Sequence, residues 1–172
     1  MRNKDLRIMI ETSVLVGAAL ALSFVRIWQM PQGGSVTLEM LPLFVLAFRH
    51  GGKMGLVGGA VFGVLQLFFT QIYHPIQVVL DYPVAFMVLG VAGFGFLRKV
   101  PVLGVAVGAF LRYLCHVLSG VVFFAQWTPE GTPVLLYSLG YNASYMVVQA
   151  LAVAILIQLL KGRREIFEPH YK

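Results

Sequence analysis

Short polar, Gly and Pro punctuation cuts this chain into six apolar runs, at residues 6–29, 37–49, 54–72, 75–97, 101–126 and 133–160. A hydrocarbon core about 30 Å thick is crossed by about 20 apolar residues in a helix, because lipid leaves open sheet edges and loops unsatisfied. Composition agrees: 59% of the chain is hydrophobic and 12% charged, with a mean hydropathy of +0.83, whereas soluble domains carry roughly 25% charge. A water-soluble monomer is excluded. At 172 residues the chain is expected to form a single membrane domain spanning 1–172. The fold class is all-α, an integral membrane protein of six transmembrane helices. The second run is short, about 20 Å at 1.5 Å per residue. The segment before it, Pro31-Gln32-Gly33-Gly34-Ser35, is therefore expected to dip inward as a mobile lid. Pro75 suits a first helical turn, and Pro83 predicts a kink.

Positive charge orients the spans. Arg2, Lys4 and Arg7 precede the first run, Arg49 and Lys53 separate the second from the third, Arg98 and Lys99 the fourth from the fifth, and Lys161, Arg163, Arg164 and Lys172 follow the sixth. These are eleven of the 13 Lys and Arg, and cytoplasmic loops carry such an excess. Both termini are expected in the cytoplasm of a multi-pass cell-membrane protein, with Trp28, Tyr73 and Trp127 at the outer interface. Glu11 interrupts a would-be signal core, so the first run reads as a retained span. Nucleic acid is not an expected partner, because the basic residues form no stripe along a polar face. Cys115 is the single cysteine, which excludes an internal disulfide and a cysteine-based metal cluster.

Ionisable groups within spans are costly and mark function by default. They are Glu11, Arg26, Glu39, Asp81, Arg112 and His116. Glu11 is expected to reach Arg7 or headgroups, and Arg26 to snorkel outward. Asp81, His116 and Asn142, from three different spans, fall about 9–15 Å below the outer boundary by helical rise, which predicts an outward-facing ligand pocket. Tyr82 adjoins Asp81, Tyr137, Tyr141 and Tyr145 repeat at four-residue spacing, and Phe123, Phe124 and Trp127 end the fifth span. Two readings stand for the tyrosines, a packing stripe or pocket lining, and two for Asp81. It is either the countercharge for a small organic cation among aromatic faces or the partner of Arg112 in a structural ion pair. Gly51-Gly52-Lys53-Met54 lacks the spacing and the Ser/Thr of a phosphate loop, and no HExxH or paired acidic metal motif occurs. His116 and Ser119 are near in sequence, but no second catalytic element accompanies them, so no enzyme, catalytic residue, metal or cofactor is expected. Ser13 and Gly17, continued by Ala21, and Gly55, Gly59 and Gly63 are small-residue faces suited to close helix contact, with a partner or within the bundle.

These residues resemble a known family, the thiamine-specific substrate-binding (S) components of energy-coupling factor transporters. The resemblance runs through Met30-Pro31-Gln32-Gly33-Gly34-Ser35-Val36, Leu80-Asp81-Tyr82-Pro83-Val84-Ala85, the segment from Leu111 to Gly120 containing Arg112 and His116, and Tyr137-Ser138-Leu139-Gly140-Tyr141-Asn142. It implies a subunit that captures thiamine outside the cell for ATP-driven uptake, docked on a membrane coupling subunit with two cytoplasmic ATPases. It also implies ligand contacts at Asp81, Tyr82, His116, Gly120, Tyr137 and Asn142, with Phe124 or Trp127 supplying the aromatic group at the end of the fifth span. Ser13 and Gly17 replace the Ala-xxx-Ala docking face of relatives, and Ser35 stands near a first-loop tryptophan of theirs. The alternative function is a stand-alone secondary transporter of a small organic cation or related vitamin.

Overall fold

The computed structural model describes residues 3–30 and 33–169. Pro31 and Gln32 of the expected lid, and Arg2 and Lys172 of the charge count, lie outside these residues. The chain runs α1 (Asn3–Ser23), β1 (Trp28–Gln29), β2 (Ser35–Val36), α2 (Met40–His50) and α3 (Gly52–Gln66), the last prolonged by a 3-10 turn at Leu67–Phe69. A broken fourth span follows: α4 (Pro75–Val79), a π turn at Leu80–Val84, α5 (Ala85–Met87) and a 3-10 turn at Val88–Gly93. Then come α6 (Gly95–Lys99), α7 (Pro101–Phe123), α8 (Val134–Leu160) and α9 (Arg164–Phe167). Among the described residues five helical stretches are long and apolar enough to cross a bilayer, and α2 is a shorter apolar helix.

The first span ends at Ser23, not near residue 29, and this corrects the sequence reading. Residues 28–29 pair as an antiparallel ribbon with 35–36, Trp28 opposite Val36 and Gln29 opposite Ser35. That pairing satisfies backbone groups which the helix would otherwise have satisfied. Gly33 makes the turn at φ +99°, a conformation that favours glycine. Arg26 and Trp28 consequently belong to the connection between α1 and α2 rather than to a helix.

The short α2 survives because protein surrounds it. Met40, Leu43, Phe44, Leu46 and Ala47 are each at most 1% exposed, packed by α1, α3, the fourth span and α8. Eleven residues reach only about 16 Å, and the ribbon before α2 completes the outer layer.

At Pro83 the missing N–H interrupts the helical ladder, and the span widens into the π turn that carries Asp81 and Tyr82. Pro75 opens α4, and His74 Nδ1 caps it by accepting from Ile76 N at 3.2 Å. Along this span Gly55 of α3 faces Gly90, Gly59 faces the Phe86 carbonyl, and Gly63 faces Pro83. The glycine set therefore packs inside the bundle. Gly90→Ala would press a methyl group onto the Gly55–Leu56 peptide, and we expect a loss of about 1–3 kcal/mol from overpacking. Thermal unfolding in detergent checks this, with Gly17→Ala, where the added methyl meets open space, as the control that should not lower the midpoint. An unchanged midpoint for Gly90→Ala would mean the two spans part easily.

Ser13 and Gly17 behave differently. Both are exposed on the outside of α1, Ser13 donating to Met9 O at 2.9 Å, and a Cβ at Gly17 meets nothing within 4 Å.

At the end of the bundle where α2 finishes, Glu11 has two partners that the sequence reading did not name, Arg49 and His50. Its carboxylate takes Arg49 Nε at 2.6 Å and lies 2.8 Å from His50 Nε2. Arg49 Nη1 also donates to the carbonyls of Glu165, Ile166 and Glu168, and Arg98 donates to those of Phe48 and Arg49. The basic cluster here caps helix ends and ties the α9 segment to α1 and α2.

Candidate functional site

A cavity of about 680 Å³ opens at the bundle end opposite the Arg49 and Arg98 cluster. Its walls come from the end of α1, the ribbon, the end of α3, the start of the fourth span, the C-terminal half of α7 and the first turns of α8. All eight residues expected at a binding site line it: Asp81, Tyr82, His116, Gly120, Phe124, Trp127, Tyr137 and Asn142. Four charged side chains face it as well, namely Arg26, Glu39, Asp81 and Arg112.

Asp81 sits among three donors. Gln77 Nε2 donates to Oδ2 at 2.6 Å, Ser119 Oγ donates to the same oxygen at 2.8 Å, and His116 Nδ1 lies 3.2 Å from Oδ1. Gln77 is on the preceding turn of the same span, so its i to i+4 spacing from Asp81 was a readable signal that sequence reasoning missed. Ser119 and His116 come from one face of α7. The other ring nitrogen of His116, Nε2, is buried without a hydrogen-bond partner among the described residues. Tyr82, the neighbour of Asp81, hydrogen-bonds through its hydroxyl with that of Thr70.

Arg112 does not pair with Asp81. Its Nη2 donates to Glu39 Oε1 at 2.9 Å, and both side chains are about nine-tenths buried. The guanidinium also lies over the Phe86 ring, 4.0 Å from its centroid. This overturns the ion-pair alternative for Asp81: the arginine is paired with the residue just before α2, and Asp81 is held instead by Gln77, Ser119 and His116. A buried charge needs a partner, and Glu39 is close because the ribbon brings the start of α2 beneath the cavity. Sequence distance concealed the pairing, since 73 residues separate the two.

The opposite wall belongs to α8. Tyr137, Tyr141 and Tyr145 are ring neighbours in succession, with centroids 6.0 Å apart at each step, so the packing-stripe and pocket-lining readings both hold. Tyr145 donates to Asn142 Oδ1 at 2.7 Å, and Asn142 Nδ2 donates to Ser138 O at 2.9 Å. The amide is thereby locked in orientation. Gly120 lets α8 come close, for a Cβ there would collide with Ser138 Oγ. Deeper still, Gln149 is fully buried and donates to the Thr37 carbonyl and hydroxyl at 3.0 and 2.8 Å. Ser138, Asn142, Tyr145 and Gln149 form a polar stripe at helical spacing that the sequence reading used only in part.

Above the cavity, Gly34 N donates to the Tyr141 hydroxyl at 3.0 Å, which ties the ribbon to α8. Phe124 and Trp127 both stand at the mouth, with Phe124 edge-on to Tyr73 at 5.6 Å. Both candidates for the aromatic group at the end of the fifth span are thus on the cavity. Among the described residues no group of three His, Cys, Asp or Glu could hold a metal ion. The arrangement offers a fixed carboxylate, aromatic faces and a few oriented polar atoms. Those are the elements that bind a compact organic cation.

Comparison with known proteins is consistent with this geometry. The chain is 40% identical to the thiamine transporter ThiT of Bacillus subtilis, with 92% of each chain covered. It is 28% identical to the thiamine transporter ThiT of Lacticaseibacillus paracasei, over 92% of this chain and 89% of that one. A solved structure of ThiT from Listeria monocytogenes matches with a TM-score of 0.88 at 25% identity, covering 97% of this chain and 100% of that chain. Residues 9–168 match the family model described as thiamine transporter protein (Thia_YuaJ), and the chain belongs to that family.

Proposed function

We propose that this membrane protein binds thiamine on its outer side and is the substrate-binding subunit of an ATP-driven uptake system. The observation that carries the reading is Asp81, a carboxylate held by the side chains of Gln77, Ser119 and His116 on the wall of a cavity lined with aromatic rings. A thiazolium gains from that charge in a low-dielectric site and from the π-faces beside it. The aminopyrimidine has donors and acceptors that suit His116, Tyr137 and Asn142. The cavity volume of about 680 Å³ lies within the usual range for small-molecule sites. Thiamine is also the substrate named for the relatives. Energy coupling would come from a membrane coupling subunit and two cytoplasmic ATPases, because the sequence has no phosphate-binding loop of its own.

Calorimetric titration of the purified protein with thiamine tests the reading, together with mass spectrometry of any small molecule that copurifies. Absence of thiamine binding would sink it. A secondary transporter would accumulate thiamine in vesicles with no partner subunits, driven by an ion gradient. The subunit proposed here would bind and not accumulate.

Phosphate esters should gain nothing. Arg112 is charge-paired through Nη2 with Glu39, although its Nε and Nη1 have no hydrogen-bond partner among the described residues, and Arg26 is bonded to Gln29 at 3.1 Å on the exposed rim, while Glu39 and Asp81 both repel an added anion. Thiamine pyrophosphate is therefore expected to displace thiamine no more readily than thiamine itself does. Displacement at a lower concentration would show that Arg112 leaves Glu39 to serve the ligand.

A further inference from the structure

We infer that Ser119, assisted by Gln77, is a positioning residue that holds the Asp81 carboxylate toward the ligand and so sets the preference for a cation over an uncharged molecule of the same shape. The inference rests on the thiamine-binding reading and goes beyond it, since neither residue is among the expected ligand contacts.

Ser and Thr hydroxyls inside apolar helices ordinarily return to a carbonyl one turn back. Thr12, Ser13, Ser23 and Ser144 do this, bonding to Ile8, Met9, Leu20 and Tyr141 carbonyls at 2.6–2.9 Å. Ser119 does not. It lies on α7, is 1% exposed, and gives its one proton across the helix interface to Asp81 Oδ2 at 2.8 Å. A hydroxyl has a single donor, so the bond to Asp81 excludes the bond to its own helix. The same oxygen takes Gln77 Nε2 at 2.6 Å, and Gln77 is 3% exposed. A glutamine pointing its oxygen at a carboxylate would be repelled, which fixes this amide with nitrogen toward Asp81.

Both bonds converge on Oδ2, whereas among the described residues Oδ1 meets only His116 Nδ1. The carboxylate is anchored through one oxygen, and the other retains acceptor capacity. Asp81 lies in the π turn, where the helical ladder is already broken by Pro83, so its backbone alone holds it less firmly than a regular helix would. The anchor crosses from the fourth span to α7 at the place where the local helix is weakest. A cation interacts with the charge of Asp81 and depends on where that charge is held. An uncharged isostere does not.

The experiment compares two probes, thiamine and an analogue in which a neutral aromatic ring replaces the thiazolium, by calorimetry on the detergent-solubilised full chain. Wild type, Ser119→Ala, Ser119→Thr and Gln77→Met are titrated with each. Ser119→Ala is expected to weaken thiamine about tenfold and the neutral analogue less than about twofold, and Ser119→Thr to recover most of the loss. Gln77→Met should act in the same direction, and it keeps the proposal testable if Ser119→Ala does not fold. Equal weakening of both probes would overturn the inference in favour of simple packing. So would unchanged thiamine affinity in Ser119→Ala, or failure of Ser119→Thr to restore it. A wild type that binds neither probe would overturn the thiamine-binding reading itself, which separates the two failures.

Discussion

Asp81→Asn is expected to lower thiamine affinity by more than about tenfold, beyond 1.4 kcal/mol. The substitution conserves volume and removes the charge. No other acidic side chain lines the cavity without an arginine on it, because Glu39 is already held by Arg112 at 2.9 Å. Asparagine has one oxygen where three donors from Gln77, Ser119 and His116 now converge on two. Part of any loss can therefore come from a donor facing a donor, and an uncharged thiazolium isostere separates the contributions. If the charge matters, the isostere should bind variant and wild type alike, while thiamine is weakened. Calorimetry that finds thiamine within about threefold of wild type, well under one tenfold step, would remove Asp81 from its role as countercharge.

The second large effect belongs to transport rather than binding. Ser13→Leu combined with Gly17→Leu is expected to leave thiamine affinity within about twofold and to reduce uptake with partner subunits by more than about tenfold. Both residues are exposed on α1, and a side chain at Gly17 enters open space. The bundle therefore loses nothing when they grow. Close approach of helices in lipid relies on small residues and van der Waals contact, so two leucines would hold a partner helix away. The cavity lies at the opposite end of the bundle from the Glu11 and Arg49 pair, one turn or less from Ser13. Reconstitution with the coupling subunit and ATPases of the proposed uptake system measures uptake, and titration of the same preparation measures binding. Wild-type uptake by the double variant would show that this face is not where partners dock.

How much of this was readable before the structure depends on the kind of interaction. The polar atoms around the cavity illustrate the division. Asp81, His116 and Asn142 stood out because each is polar in an apolar run, and helical rise placed them at similar depth. Their companions did not stand out. Ser119 is an ordinary small residue in a helix until its hydroxyl is seen to leave that helix, and Glu39 and Arg112 are 73 positions apart. Gln77 and Gln149 were available at helical spacing from residues already singled out, and were passed over.

Membership in the bilayer was determined by the sequence alone, since lipid offers no partner for a backbone N–H and so forces each long apolar run into a helix. The same reasoning placed the basic clusters at one end and the pocket-lining residues at the other. It could not find where α1 stops, because the residues that follow Ser23 are as apolar as those before it and only the pairing of Trp28 with Val36 draws the chain into a ribbon. Nor could it find which polar group bonds to which. In helices apolar on nearly every side, such as α3, the pattern says little about rotation around the axis. Rotation is set by which glycines let which neighbours approach, Gly55 to Gly90, Gly63 to Pro83, Gly120 to Ser138. Those contacts, made only in the assembled bundle, turn Ser119 toward Asp81 and Glu39 toward Arg112.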